Sequence, residues 1–217
     1  MNRSQINAAI LAAEATLAHY SWALPNWSSW TIADHHANAS QSAWLKDRQL
    51  GWDVTDFGSG AFEKRGLTLF CVRNGTQAQG ERPYAEKLLF VGVGQETPFH
   101  AHKNKLEDII VRGGGTLCVE FTREGAVLDV QDENVRIDGA IAPLYGQVHR
   151  LTAGQSITIP RGVQHRFWGD VAPVFVAESS QCNDDLTDNF FLEPMGRFSD
   201  INEDEPPYRQ LWNDVLQ

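Results

Sequence analysis

Gly94-Gln95-Glu96-Thr97-Pro98-Phe99-His100-Ala101-His102-Lys103-Asn104-Lys105-Leu106-Glu107 is the stretch on which the reading of this chain turns. On a strand, alternation points the imidazoles of His100 and His102 to one face, so two nitrogen donors converge. Glu107, reached after a short turn, returns from the neighbouring strand as an oxygen donor. A second segment, Gly154-Gln155-Ser156-Ile157-Thr158-Ile159-Pro160-Arg161-Gly162-Val163-Gln164-His165-Arg166-Phe167-Trp168, carries Pro160 and Gly162 at a turn between two strands. His165 then heads back inward as a third imidazole. Three imidazoles and a carboxylate are borderline-to-hard donors, suited to manganese, iron, cobalt, nickel or zinc. Four protein ligands leave octahedral positions open, and open positions mean substrate chemistry rather than a closed structural site. His19, His35, His36 and His149 lie outside both segments and read as surface or packing residues.

The surroundings predict a mainly β chain. Short runs rich in β-branched and aromatic residues, separated by Gly, Asn and Asp, cover Leu67 to Val72, Glu86 to Val93, Gly115 to Phe121, Ala126 to Val130, Gln155 to Ile159 and Pro173 to Ala177. Many short strands at such spacing favour a sandwich or barrel over βαβ units. Before them, Ile6, Ile10, Ala13, Leu17 and Tyr20 recur on one helical face, with Ser4 as the expected cap and Pro25 ending the unit. A second helix is expected after Thr31, where Thr31-x-x-Asp34 resembles a capping box with a shortened acid, running through Trp44 and Leu45 towards Gly51. The expectation is one domain over 1–217: a helical section over 1–60, a jelly-roll barrel over 61–180, and an ordered acidic extension over 181–217.

Composition narrows the partners. A chain of 217 residues can bury a full core undivided, and its formal net charge of -10, with Lys and Arg scattered, argues against nucleic acid and anionic membrane. Cys71, Cys118 and Cys182 are odd in number, widely spaced and without a Cys-x-x-Cys pair, which fits a reducing cytoplasm. The first residues lack a continuous apolar region ending in a cleavage site, and no apolar run is long enough to span a membrane.

The two histidine segments match the paired signatures of the cupins. Gly94, five residues, His100-x-His102, four residues, Glu107, six residues and Gly114 supply the first. Gly154, Pro160, Gly162 and His165 supply the second, which departs only at its last position, where Gly169 stands in place of Asn. Beyond these, the chain resembles the D-lyxose isomerase family over nearly its whole length. The resemblance is carried by Arg3-Ser4, Leu50-Gly51-Trp52-Asp53-Val54-Thr55, Gly66-Leu67-Thr68-Leu69-Phe70, Arg73-Asn74-Gly75 and Tyr84-Ala85-Glu86-Lys87. It continues through Glu107-Asp108-Ile109-Ile110, Arg112-Gly113-Gly114-Gly115, Phe167-Trp168, Asn183-Asp184-Asp185, Asp188-Asn189, Arg197 and Asp204-Glu205-Pro206. The resemblance implies a cupin barrel and interconversion of D-lyxose with D-xylulose, and of D-mannose with D-fructose. It also implies manganese or a similar divalent ion and a homodimer.

Aldose and ketose interconvert by moving a hydrogen between C1 and C2, through a cis-enediol or a metal-assisted hydride shift. In the first route a base takes a carbon-bound proton and returns it to the neighbouring carbon. Glu178, on the strand after His165, is the leading base, with Asp184, Asp185 and Glu205 as alternatives. Lys87 is the second catalytic candidate: it sits in an apolar run, where it points either outward or into a polar cavity, and pointing inward it would polarise a substrate oxygen or shuttle a proton. Trp168, Asp184 and Arg197 are the candidate sugar contacts, Arg197 having an ion pair that pins the C-terminal extension as its other reading. A phosphosugar isomerase, an oxygenase and a sugar-binding module stay open as alternatives, because the fold alone does not determine function.

Overall fold

A computed structural model of the chain describes residues 1–78 and 80–215. Helices α1 (Arg3–His19), α2 (Ile32–Ala37) and α3 (Ala39–Asp47) precede strands β1 (Gly51–Thr55), β2 (Leu67–Asn74), β3 (Tyr84–Val91), β4 (Glu96–Ala101) and β5 (Glu107–Thr122). Strands β6 (Asn134–Ile137), β7 (Ala140–Pro143), β8 (Val148–Leu151), β9 (Ser156–Ile159), β10 (Gln164–Gln181) and β11 (Phe190–Phe191) follow. All pair antiparallel in one sheet whose main path runs β1-β2-β3-β10-β5-β9-β6-β7, with β4 bridging β10 and β11. This is the expected mainly β architecture of the cupin type, with helices gathered at the N-terminus.

Side-chain alternation sorts the sheet into two faces. Inward, Leu67, Leu69, Leu89, Val91, Ile109, Val111, Val174 and Val176 form the barrel core. Outward, Trp52, Phe70, Leu88, Phe175 and Ala177 take α1, whose Ile6, Ile10, Ala13 and Leu17 complete a second core. Lys87 and Glu178 share the parity of the inward residues on β3 and β10, and they stand directly opposite each other.

Several local expectations change. The helix after Thr31 is broken at Asn38 into α2 and α3, while the shortened capping box holds: Asp34 N donates to Thr31 Oγ1 at 3.2 Å and Thr31 N to Asp34 Oδ2 at 2.8 Å. Asn2 rather than Ser4 caps α1, and Ser4 instead donates to Asp204 Oδ2 at 2.6 Å. Ala126 to Val130 forms no strand; it folds over the Gly162 turn, where Val127 N donates to Gly162 O at 3.0 Å. Strands β5 and β10 extend far beyond the runs visible in the sequence because they continue through polar residues and bulges, one of them between Asp170 and Val174. The Gly113-Gly114-Gly115 run is explained by crowding at that bulge. A Cβ on Gly113 would sit 2.3 Å from the Tyr20 ring, and Gly114 has φ +91 against Pro173 O.

The acidic extension ties down the start of the chain. Arg3, buried, pairs with Glu203 at 2.6 Å and Asp214 at 2.8 Å.

Phe175 joins the helical section to the sheet, with its ring stacked on Tyr20 and Phe90 and edge-on to Trp22. Phe175→Ala is therefore expected to cost about 3–5 kcal/mol, read as a lowered urea midpoint, with Glu178 and the histidines on the opposite face undisturbed.

Candidate active site

The three imidazoles meet inside the barrel. His100 on β4 faces His165 on β10 in register, and His102 follows β4; one ring nitrogen from each lies within 4.8 Å of the others, and all three residues are buried. Bringing both His-x-His and Phe167 inward requires an irregularity. His165 pairs with His100, but Phe167 pairs with Thr97, so β4 carries an extra residue that re-aims its side chains. Thr97 thereby also faces the cavity.

Each imidazole is oriented through Nδ1, which lies 2.8 Å from Pro98 O in His100, 2.6 Å from Asp188 O in His102 and 3.2 Å from Val163 O in His165. A neutral ring donating from Nδ1 carries its lone pair on Nε2. Burial favours that neutral form: it pushes His100 well below its ordinary range, helped by His165 and His102, and His102 down to about 3, helped by Lys105. Glu107 Oε1 lies 3.1 Å from His165 Nε2 and 3.7 Å from His102 Nε2, yet His165 Nε2 makes no hydrogen bond. Lone pairs and a carboxylate oxygen facing one another in a buried space suit a cation between them, and the donor set is that of a borderline divalent ion. The residues thus fit a metal ion.

Beside them lies a buried group of charges. Lys105 Nζ sits 2.6 Å from Glu107 Oε2 and 2.9 Å from Glu178 Oε1, which also accepts from Ser180 Oγ at 2.9 Å. The two carboxylates raise Lys105 above its ordinary value although burial opposes this. Burial raises Glu107 less than Lys105 and the histidines lower it, so it stays well below the usual carboxylate range. Further along, Lys87 donates to Asn183 Oδ1 and lies 3.6 Å from Asp185. Arg197 Nη2 reaches Asp53 at 2.6 Å and Asp185 at 3.3 Å. Burial would raise Asp185, but Arg197 and Lys87 outweigh it and hold the carboxyl far below its ordinary value.

One cavity is lined by His100, His102, Lys105, Glu107, Lys87, Glu178, Asp185, Asn189, Arg197 and Thr97, with Phe57, Phe167 and Phe191 as apolar walls. Lys87 and Glu178 thus reach the same space as His100 and His102. Arg197 serves both readings, since it pins the extension and its Nη1 remains buried without a hydrogen-bond partner. Trp168 does not reach the cavity: Phe167 faces inward, so its neighbour must face outward, where the Arg166 guanidinium lies 5.3 Å from its ring. Asp184 is also turned away, its carboxylate holding the turn at Leu186 and Thr187, and Asp185 takes the cavity side. Lys105 escaped the sequence reading, although its spacing from Glu107 repeats that of His100 and His102. Thr97 had no such signal, because a bulge decides its direction.

A family model described as D-lyxose isomerase matches residues 1–215. A D-lyxose/D-mannose isomerase of Escherichia coli O157:H7 is 39% identical over 227 residues, covering 100% of this chain and 99% of that protein. The chain belongs to the D-lyxose isomerase family. It is an aldose–ketose isomerase, an intramolecular oxidoreductase by class. A Serratia proteamaculans relative, also named D-lyxose/D-mannose isomerase, is 44% identical over 182 residues, 79% of this chain and 78% of that protein. In fold, the chain is similar to the L-ribose isomerase of Cellulomonas parahominis solved with L-psicose, at TM-score 0.56 and 17% identity over 83% of this chain and 99% of that one. The L-ribose isomerase of Acinetobacter sp. DL28 with L-ribose gives TM-score 0.54 at 17% identity, over 82% and 100%. Among the described residues no helix is long and apolar enough to cross a membrane.

Lys105→Met leaves two buried carboxylates facing each other. In chelator, denaturant unfolding should register a loss of about 3–5 kcal/mol; a loss below about 1 kcal/mol would mean that the lysine does not hold them together.

Proposed function

We propose that the enzyme interconverts D-lyxose with D-xylulose, and D-mannose with D-fructose, by proton transfer through an enediol. The reading rests on a divalent cation, manganese foremost, held by His100, His102, Glu107 and His165. The observation that carries it is Lys105 bridging Glu107 and Glu178, which sets a proton-accepting carboxylate and an ammonium donor beside the candidate metal ligand. When bound, the cation would supply positive charge where negative charge develops on the sugar's vicinal oxygens.

Lys105 and Ser180 both engage Glu178 Oε1, which leaves Oε2 to take the proton from C2 of an aldose and return it to C1. The hydroxyl proton moves from O2 to O1 in the same conversion, with the Lys105 and Lys87 ammonium groups as the nearby donors. Phe57, Phe167 and Phe191 exclude water and offer apolar faces to the sugar's C–H groups. Thr97 Oγ1 and Arg197 Nη1 are buried cavity atoms without partners, and a polyhydroxylated ligand would satisfy both.

An unphosphorylated sugar is favoured over a phosphosugar. Lys87, Lys105 and Arg197 are each already paired with buried carboxylates, whereas a phosphate calls for clustered, uncommitted cationic donors. The family resemblance further supports a homodimer acting in the cytoplasm; light scattering after size exclusion should give twice the mass of one chain.

The deciding experiment incubates chelator-treated enzyme with D-xylulose, D-fructose and fructose 6-phosphate, with and without manganese, under anaerobic conditions. Restored conversion of the two free sugars is expected, with fructose 6-phosphate unchanged. Glu178→Gln should keep its metal and lose about 10²–10⁴-fold in turnover. Wild-type turnover in that variant would place the base elsewhere, and full turnover by metal-depleted His165→Ala would remove the cation from the reaction.

A further inference from the structure

The three imidazoles are oriented by two different means. His100 and His165 each place Nδ1 against the carbonyl two residues earlier, Pro98 O at 2.8 Å and Val163 O at 3.2 Å, so their own strands aim them. His102 depends instead on Asp188 O at 2.6 Å, a carbonyl 86 residues away in the chain. Asp188 is itself held in place: it is buried, and its carboxylate accepts from Lys103 N at 2.9 Å and from Asn104 N at 3.1 Å, the two residues that follow His102. One aspartate therefore grips both the imidazole and the backbone beyond it.

The same segment, 183–189, also supplies Asp185 and Asn189 to the lining of the cavity. Asn183 accepts from Lys87, Asp185 pairs with Lys87 and Arg197, and Asn189 lines the cavity and donates to Asp185 at 3.3 Å. Immediately after it, Phe191 pairs with His100 in β11. A strap that is not part of the barrel's main sheet thus joins a metal ligand to the sugar-facing charges.

We propose that Asp188 is a positioning residue for the metal site, and that the strap it anchors makes metal affinity depend on the segment that also carries Asp185 and Asn189. This rests on the cation reading above. Partners that orient ligating imidazoles are commonly worth about 10–100-fold in metal affinity. Because two imidazoles are aimed locally, loss of Asp188 should weaken the site without abolishing it.

The test is titration of the full chain, first freed of metal, with manganese, following free Mn²⁺ by electron paramagnetic resonance, alongside the melting temperature of each metal-free protein. Asp188→Ala is expected to weaken Mn²⁺ binding by about 10–100-fold. Asp188→Asn, which keeps an acceptor oxygen for the two amides, should recover much of that loss. Asp184→Ala disturbs the exposed turn of the same strap without touching His102, and should bind manganese like the wild type. Equal affinity for Asp188→Ala and wild type overturns the proposal, as does an equal loss in Asp184→Ala. A loss in Asp188→Asn as large as in Asp188→Ala does so too. Should Asp188→Ala be unfolded without metal, Asp188→Ser, whose short hydroxyl cannot accept from both amides, takes its place: weakened Mn²⁺ binding beside an unchanged Asp184→Ala is expected, and wild-type affinity in Asp188→Ser, or an equal drop in Asp184→Ala, counts against Asp188. Failure of the wild type to bind Mn²⁺ overturns the cation reading itself, a separate result from wild-type binding with no effect of Asp188.

Discussion

Lys105 lies between two carboxylates, Glu107 at 2.6 Å and Glu178 at 2.9 Å, all three buried in the barrel. Taking those charges out of water is costly, and the arrangement persists only because each has an opposite charge or a hydrogen bond within reach. Much of the site's geometry follows from that constraint. Glu107 presents one oxygen to Lys105 and the other to His165, and Glu178 commits one oxygen to Lys105 and Ser180. The lysine thus keeps a candidate metal ligand and a candidate base side by side without their repelling each other.

The pattern repeats away from the histidines. Arg197 is shared by Asp53 and Asp185, and Asp185 is shared in turn with Lys87. These charges line the cavity together with apolar residues that include Leu67, Leu89 and Phe167. Such a mixed lining suits a small molecule that carries both hydroxyls and C–H groups. Two of the buried polar atoms without hydrogen-bond partners, Thr97 Oγ1 and Arg197 Nη1, belong to side chains that line this cavity. Functional sites commonly tolerate unsatisfied buried groups that a purely structural core would not.

The barrel holds these residues rigidly because the long strands β5 and β10 pair along most of their length. Glu107, His165 and Glu178 all lie on those two strands, so their relative positions are set by backbone hydrogen bonds rather than by loops. The helices pack on the outer face through Phe175 and Leu88, whose neighbours Val174, Val176 and Lys87 face inward. One alternation thus divides structural duty from chemical duty along the same strands.

Strict spacing made part of this legible in the sequence alone. The His100-x-His102 pair, Glu107 and His165 follow from alternation and turn residues, which are local properties, and the antiparallel β character follows from short runs punctuated by Gly, Asn and Pro. What tertiary structure decided depends on residues far apart in the chain or on departures from regular pleating. The bulge in β4 turns Thr97 inward, and the parity of Phe167 sends Trp168 outward. Lys87, whose run of neighbours allowed either direction, points inward because its strand lies between β2 and β10 with Leu89 and Val91 on the core side. Asp185 rather than Asp184 faces the cavity, and Asp188 reaches His102 from 86 residues away, because the chain after β10 folds back across the barrel. Local spacing is set by covalent geometry and can be counted; contacts across such distances exist only once the sheet has closed and buried charge must find its partner.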